Sequence, residues 1–161
     1  MEIESKTGKL TIRLAALEDA PDIFALIQDA YGDTRKYLSR DPGALKETIL
    51  DLEDKIKMNK PLIFVIEKEG KIIGTFRLKK KDSEIILARF GIDAEHRGKG
   101  LGKEIMAFIE RIAKELGAKK MTLETYESVP YLGKFYENLG YRLYDVKMHN
   151  GENIQFYEKE L

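Results

Sequence analysis

Apolar positions recur along this chain with two spacings, and the switches between them outline the fold. Leu10, Ile12 and Leu14 alternate with polar neighbours, the period of a strand with one buried face. From residue 17 to 31 the spacing lengthens, and Ile23, Leu26, Ile27, Ala30 and Tyr31 share one side of a helix. Glu18, Asp19 and Pro21 suit its first turn. Asp41-Pro42 reads as an N-cap followed by a first-turn proline, and Leu45, Ile49, Leu52 and Ile56 predict a second helix behind it. Pro61 closes that helix. Two strands follow, Leu62 to Glu67 and Lys71 to Lys79, joined at Glu69-Gly70 as a hairpin. Lys81-Asp82-Ser83 then turns the chain into a strand from Glu84 to Ile92.

The second half repeats strand and helix in alternation. Leu101, Ile105, Phe108, Ile109, Ile112, Ala113 and Leu116 make one wide apolar face, and Gly117 stops that helix. Met121 to Thr125 is a short strand, and Pro130 to Leu139 a helix with Leu132, Phe135, Tyr136 and Leu139 on one side. Tyr141 to Met148 and Asn153 to Lys159 pair about Asn150-Gly151. The predicted order, β-α-α-β-β-β-α-β-α-β-β, describes an α/β (α+β) fold: a mixed, mostly antiparallel sheet of about seven strands with about four helices packed on it. Residues 1–8 read as a loose N-terminal extension.

Composition narrows the function classes. The chain has 161 residues, a length that fits one domain, with 28 basic and 28 acidic residues. The zero balance argues against a nucleic-acid partner, which would call for a basic surplus. There is no cysteine, so disulfides, thiolate metal sites and cysteine nucleophiles are excluded. Met1 to Lys6 lacks the apolar core of a signal peptide, and no apolar run approaches the roughly 20 residues needed to span a bilayer. The expectation is a cytoplasmic protein without a membrane partner. Homodimer formation is left open. His96 and His149 are too few and too far apart to predict a metal site, and neither is assigned a catalytic role.

The chemistry concentrates in His96-Arg97-Gly98-Lys99-Gly100-Leu101-Gly102-Lys103, between a strand and an amphipathic helix. Glycines let backbone approach a ligand, and the first-turn amides of a helix lack intrahelical acceptors. The segment therefore predicts a phosphate cradle. It is not a P-loop, because Glu104 stands where a magnesium-binding hydroxyl is needed and Arg97 where the first glycine belongs. It is not a dinucleotide fingerprint, because Lys103 occupies the last glycine position. The pattern [Q/R]-x-x-G-x-[G/A] is met by Arg97, Gly100 and Gly102. With Phe135-Tyr136-Glu137-Asn138-Leu139-Gly140-Tyr141 and the order of elements from Leu10 to Leu161, the chain resembles the GNAT family of N-acetyltransferases.

That resemblance implies a single acetyltransferase domain over residues 1–161, with acetyl-CoA as acyl donor and no metal. It implies a coenzyme A loop formed by Arg97, Gly98, Lys99, Gly100, Leu101, Gly102 and Lys103. It also implies a bulge in the strand before the loop, where the backbones of Phe90, Gly91 and Ile92 meet the pantetheine arm. By the residues alone, Gly91 marks a bulge, a close backbone approach, or only an easing of twist. The implied reaction is direct attack of a primary amine on acetyl-CoA in a ternary complex. Tyr136 matches the family tyrosine and is the expected acid for the departing thiolate; its place on an apolar helix face equally suits a core residue.

Glu124 is a candidate base, because alternation sets it opposite Leu123, toward the cleft or toward solvent. Tyr126 and Glu127 are alternatives. Val129 stands where many family members carry an asparagine seven residues before the tyrosine, so no side-chain contact to the cofactor is expected there. Tyr31 to Gly43, with Arg35, Lys36, Tyr37 and Arg40, is the least patterned stretch and the expected acceptor-recognition segment for a small-molecule or peptide amine. The competing reading is a catalytically silent acyl-CoA-binding regulatory module.

Overall fold

The computed structural model describes all residues, 1–161, as one eight-stranded sheet with four α-helices. The strands are β1 (Glu2–Ser5), β2 (Gly8–Leu14), β3 (Leu62–Lys68), β4 (Lys71–Lys81), β5 (Glu84–Ile92), β6 (Lys120–Tyr126), β7 (Arg142–His149) and β8 (Glu152–Glu160). The helices are α1 (Ala20–Gly32), α2 (Ile49–Met58), α3 (Leu101–Glu115) and α4 (Pro130–Asn138). Across the sheet the order is β1-β2-β3-β4-β5-β6-β8-β7. Only β5 and β6 run parallel, and α3 makes the crossover between them. No helix is long and apolar enough to cross a membrane.

Helices cover both faces of the sheet. On one face α1 and α2 bury Ile23, Ile27, Leu52 and Ile56 against Ile63 and Val65. On the other, α3 and α4 bury Leu101, Ile105, Ile109 and Tyr136 against Phe64, Ile66, Ile85, Leu87 and Leu123. The alternation of β3 explains this division: Ile63 and Val65 point one way, Phe64 and Ile66 the other. A strand buried on both faces carries no polar alternation, as the run Leu62 to Ile66 shows.

Three expectations are corrected. Glu2–Ser5 is not a loose extension but an edge strand on β2. Ile3 is buried, and the terminal ammonium donates to the Ile12 carbonyl at 2.8 Å. One apolar residue in four made this strand unreadable, and it brings the expected sheet of about seven strands to eight. The second helix begins at Ile49, not after Pro42. Thr48 caps it, exchanging side-chain and backbone hydrogen bonds with Asp51, while Pro42 precedes a separate 3-10 turn at Gly43–Lys46. The bulge in β5 is not at Gly91. Register slips between Thr75↔Gly91 and Arg77↔Ala88, and the left-handed residue in the slip is Arg89, at φ +52°.

Candidate active site

Past the bulge, β5 and β6 part. Their last paired residues are Leu87 and Leu123, yet β5 continues to Ile92 and β6 to Tyr126. The result is a wedge-shaped gap in the middle of the sheet. Main-chain alternation decides which groups face it. Asp93 donates to the Ile73 carbonyl, and the Gly91 carbonyl lies against Gly74. The main-chain groups of Gly91 are therefore turned to β4, and those of Phe90 and Ile92 into the gap. The Ile92 carbonyl is taken by Arg97 Nε at 2.8 Å, which leaves the Ile92 amide free. Gly91 serves close approach instead: a Cβ there would lie 3.1 Å from Ala30 Cβ, so α1 rests directly on this end of the strand.

The glycine loop opens at the end of the same strand. Asp93 closes a 3-10 turn by accepting from the His96 amide and imidazole, so His96 is half-buried and engaged in the loop rather than free in solvent. Gly98 and Gly100 adopt φ of +75° and +77°, a conformation costly for any side chain, and Gly100 caps α3. The amides of Gly98, Lys99, Gly100, Leu101, Gly102 and Lys103 find no acceptor in the protein. Six unpaired donors at the positive end of a fifteen-residue helix fit a pyrophosphate. Lys99 and Lys103 are exposed beside them and form no ion pair. Arg97 does not join the cradle. It reaches back to α1 and holds Asp33 at 2.7 Å and Asp29 at 3.2 Å, which fastens the loop to the opposite face of the sheet. Leu101 contributes its amide only, because its side chain is core.

Gly102 explains why the loop and the tyrosine segment occur together. A Cβ at Gly102 would lie 3.4 Å from Phe135 Cζ, so the bare glycine lets α4 seat against the first turn of α3. Phe135 in turn holds Tyr136 edge-on, with ring centroids 5.0 Å apart, and Tyr141 flanks it at 5.7 Å. Burial raises the Tyr136 phenol well above its ordinary value, with the nearby Tyr31 adding to the effect. Tyr31 belongs to α1 and Tyr136 to α4, on opposite faces of the sheet.

Glu124 is the first β6 residue beyond the last β5 pair, on the face opposite the buried Leu123. It is exposed and without a hydrogen-bond partner, at the mouth of the gap. Tyr126 is half-buried and close enough to Tyr31 to influence it electrostatically, whereas Glu127 is exposed beyond the strand. Val129 is a buried N-cap of α4 that makes no side-chain cap.

Residues 33–48 arch over the opening. Tyr37 packs edge-on against Tyr131 of α4, and Glu152 at the start of β8 accepts from the Ser39 amide and hydroxyl and from Ser128. The arch then returns to the sheet twice, with Gly43 against the Arg89 guanidinium and Glu47 paired to Arg77. Arg89 was missed in the sequence. Its signal was a cation inside the otherwise apolar run Ile85 to Ile92, two residues before a glycine.

A mixed sheet split beside a row of unpaired amides is the geometry the residues build. The model of the Acetyltransferase (GNAT) family matches residues 21–141, and the chain belongs to that family. It is 30% identical over 79 residues to the spermine/spermidine N(1)-acetyltransferase of Bacillus subtilis (strain 168), a match covering 48% of this chain and 52% of that protein. It is 29% identical over 103 residues to the 5-NmdU N-acetyltransferase of Pseudomonas phage PaMx11, covering 63% and 71%. The chain thus spans about half the length of the Bacillus relative. In structure it is similar to PaiA N-acetyltransferase of Thermoplasma acidophilum in complex with coenzyme A, with a TM-score of 0.79, 20% identity, and coverage of 94% and 99%. A GNAT-family acetyltransferase of Listeria monocytogenes 4b F2365 gives 0.77, 21% and full coverage of both chains.

Proposed function

We propose that this protein is an acetyl-CoA-dependent N-acetyltransferase that acts on a primary amine by direct attack. The observation that carries the reading is the continuity of unpaired donors from the Ile92 amide in the gap to the six amides of residues 98–103. That row suits an extended carrier with a pyrophosphate at one end. Acetyl-CoA supplies an activated thioester. In the transfer a nitrogen–acyl bond forms, the carbon–sulfur bond breaks, the amine gives up a proton, and the thiolate gains one.

The chain's own groups fit those needs. The amides of residues 98–103 bind the pyrophosphate, and Lys99 and Lys103 add charge beside it. The Phe90 and Ile92 main chain meets the pantetheine arm; Gly91 acts by admitting α1. Tyr136 is the acid. A phenol is protonated at neutral pH, the state from which it can donate to sulfur. An alkyl amine with pKa near 10 is only about one part in a thousand neutral at pH 7, so a proton acceptor is useful. Glu124, unpartnered at the gap, is the base we assign.

Release of coenzyme A thiol tests the reading, followed across amino acids, polyamines and peptides with free N-termini. Turnover with at least one acceptor is expected. Tyr136→Phe should lower kcat by about 10²- to 10⁴-fold while coenzyme A affinity, by calorimetry, stays within about twofold. Gly100→Glu should remove measurable coenzyme A binding, because it sets a carboxylate in the cradle and a side chain at positive φ. Coenzyme A binding with no turnover on any amine would leave the silent binding module as the answer.

A further inference from the structure

Arg89 is a cation that no carboxylate of the protein answers; its company in the structure is the Tyr31 side chain. Arg13, Arg77 and Arg97 each pair with carboxylates, but Arg89 pairs with none. Its Nε is fully buried and has no hydrogen-bond partner, which is equally true of Arg77 Nε, so what sets Arg89 apart is the lack of a carboxylate on its terminal nitrogens. Its guanidinium carbon lies 6.0 Å from the centre of the Tyr31 ring, and one terminal nitrogen lies against Gly43. Tyr31 and Gly43 are the two ends of the segment that arches over the gap. The guanidinium thus sits under that arch, on the α1 side of the opened strand, beside the gap assigned above to the carrier.

Arginine at this position runs against two physical preferences. The backbone is left-handed there, a conformation in which glycine is unstrained and arginine is not. The site is half-buried, and a guanidinium cannot relieve the loss of water by releasing its proton. An entering anion would remove the second cost, and the fork geometry of the guanidinium matches a carboxylate with two parallel hydrogen bonds.

We infer that Arg89 binds a carboxylate of the acceptor, so that the substrate is an amine carrying an acid group, of the amino-acid class, rather than a polyamine. This rests on the acetyltransferase reading above. A second cation beside an unpaired guanidinium is repelled, which sets this site apart from what the name of the Bacillus relative implies for that protein. Tyr31, packed against the guanidinium, supplies an apolar ring beside the carboxylate.

The test compares matched acceptors at saturating acetyl-CoA: phenylalanine with phenylalaninamide, β-alanine with β-alaninamide, and spermidine as the cationic reference. Amidation removes a negative charge and lowers the pKa of the amine, so the carboxamide holds more free amine at pH 7. A preference for the acid therefore cannot arise from amine basicity. The expected result is kcat/KM for one acid at least about tenfold above that for its carboxamide. Arg89→Gln should bring that ratio close to one, and Arg89→Lys should keep part of it, with coenzyme A affinity within about twofold of wild type as the check on folding. A wild-type ratio near one, spermidine as the best acceptor, or equal slowing of both members by Arg89→Gln would overturn the assignment. Failure to bind coenzyme A would overturn the acetyltransferase reading with it. Turnover of amines without acid preference would remove Arg89 alone.

Discussion

Arg77 and Arg89 stand on neighbouring strands and both meet the arch between α1 and α2, yet their surroundings are opposite. Arg77 is 3% exposed. Glu47 receives two of its nitrogens and also accepts Lys55 Nζ, so the cation is closed into a network that fastens the end of the arch to β4. Arg89 meets the other side of the same arch with no carboxylate at all. Withdrawing a charge from water costs several kcal/mol and is repaid inside the protein only by a well-placed partner. A cation closed on a carboxylate is an element of structure, whereas one without a carboxylate is open to a partner from outside the fold. Around Arg77 the arch is built shut; around Arg89 it is built open.

The largest effect expected from this contrast is at Glu47. Glu47→Ala leaves Arg77 buried without a counter-charge and should cost about 3–5 kcal/mol of unfolding free energy, read from urea denaturation. A loss under about 1 kcal/mol would mean the pair is not structural. The same contact sets a pH dependence. Burial works to raise the Glu47 carboxyl, but hydrogen bonds and charge from Arg77 and Lys55 outweigh it and hold the group at about 2, against an ordinary 4.5. The folded state thus binds its proton less readily than the unfolded one. Its contribution is complete above about pH 5 and is lost as pH falls toward 2. Urea midpoints between pH 6 and 3 should show that decline in wild type and a flatter one in Glu47→Gln.

The contrast between the two arginines also marks where sequence reading stops. Elements bounded by plain local signals were legible: β3 to β5 lie between Pro61, the Glu69-Gly70 turn and the Lys81-Asp82-Ser83 turn, and α3 lies where helical spacing puts it. So was the cradle, because Gly98, Gly100 and the α3 amides form it by local geometry alone. What depends on partners distant in the chain was not legible. Nothing near Arg97 announces that Asp29 and Asp33 will take its charge, and Glu47 lies 30 residues from Arg77. Gly91 suited a bulge, a close approach or an easing of twist, and only the fold decides between them: an arginine carries the left-handed bulge conformation and the glycine makes room for α1. Thr48 and Asp51 form a capping box that Pro42 masked, since proline after aspartate is the louder signal.

An intermediate effect is expected at Gly91, which joins the open side of the contrast to α1. Gly91→Ala brings a methyl 3.1 Å from Ala30 Cβ and 3.5 Å from Leu26 Cδ2. Overpacking of this kind costs about 1–3 kcal/mol, toward the lower end where a helix terminus can shift by a few tenths of an ångström. Ala30 precedes Tyr31, so the shift is passed to the ring beside Arg89. Acceptor KM should rise severalfold while coenzyme A affinity stays within about twofold, because the cradle amides belong to α3. An altered coenzyme A affinity with unchanged acceptor KM would place Gly91 on the donor side instead.

The smallest effect on stability is expected at Arg89 itself, and its smallness is the argument. Were Arg89 a structural cation like Arg77, Arg89→Gln would remove a satisfied interaction and lower the urea midpoint sharply. The structure gives it no ion pair: no carboxylate reaches it, and its company is the Tyr31 side chain, whose ring centre lies 6.0 Å from the guanidinium carbon. Glutamine keeps a polar end without the charge, so the unfolding free energy should fall by no more than about 0.5 kcal/mol, and relief of the unrepaid desolvation should if anything raise it. The contrast with Glu47→Ala is then a difference of several kcal/mol between two charges on one arch. A loss at Arg89→Gln approaching that at Glu47→Ala would end the distinction, and with it the reason for reading the open side of the arch as a place where the acceptor binds.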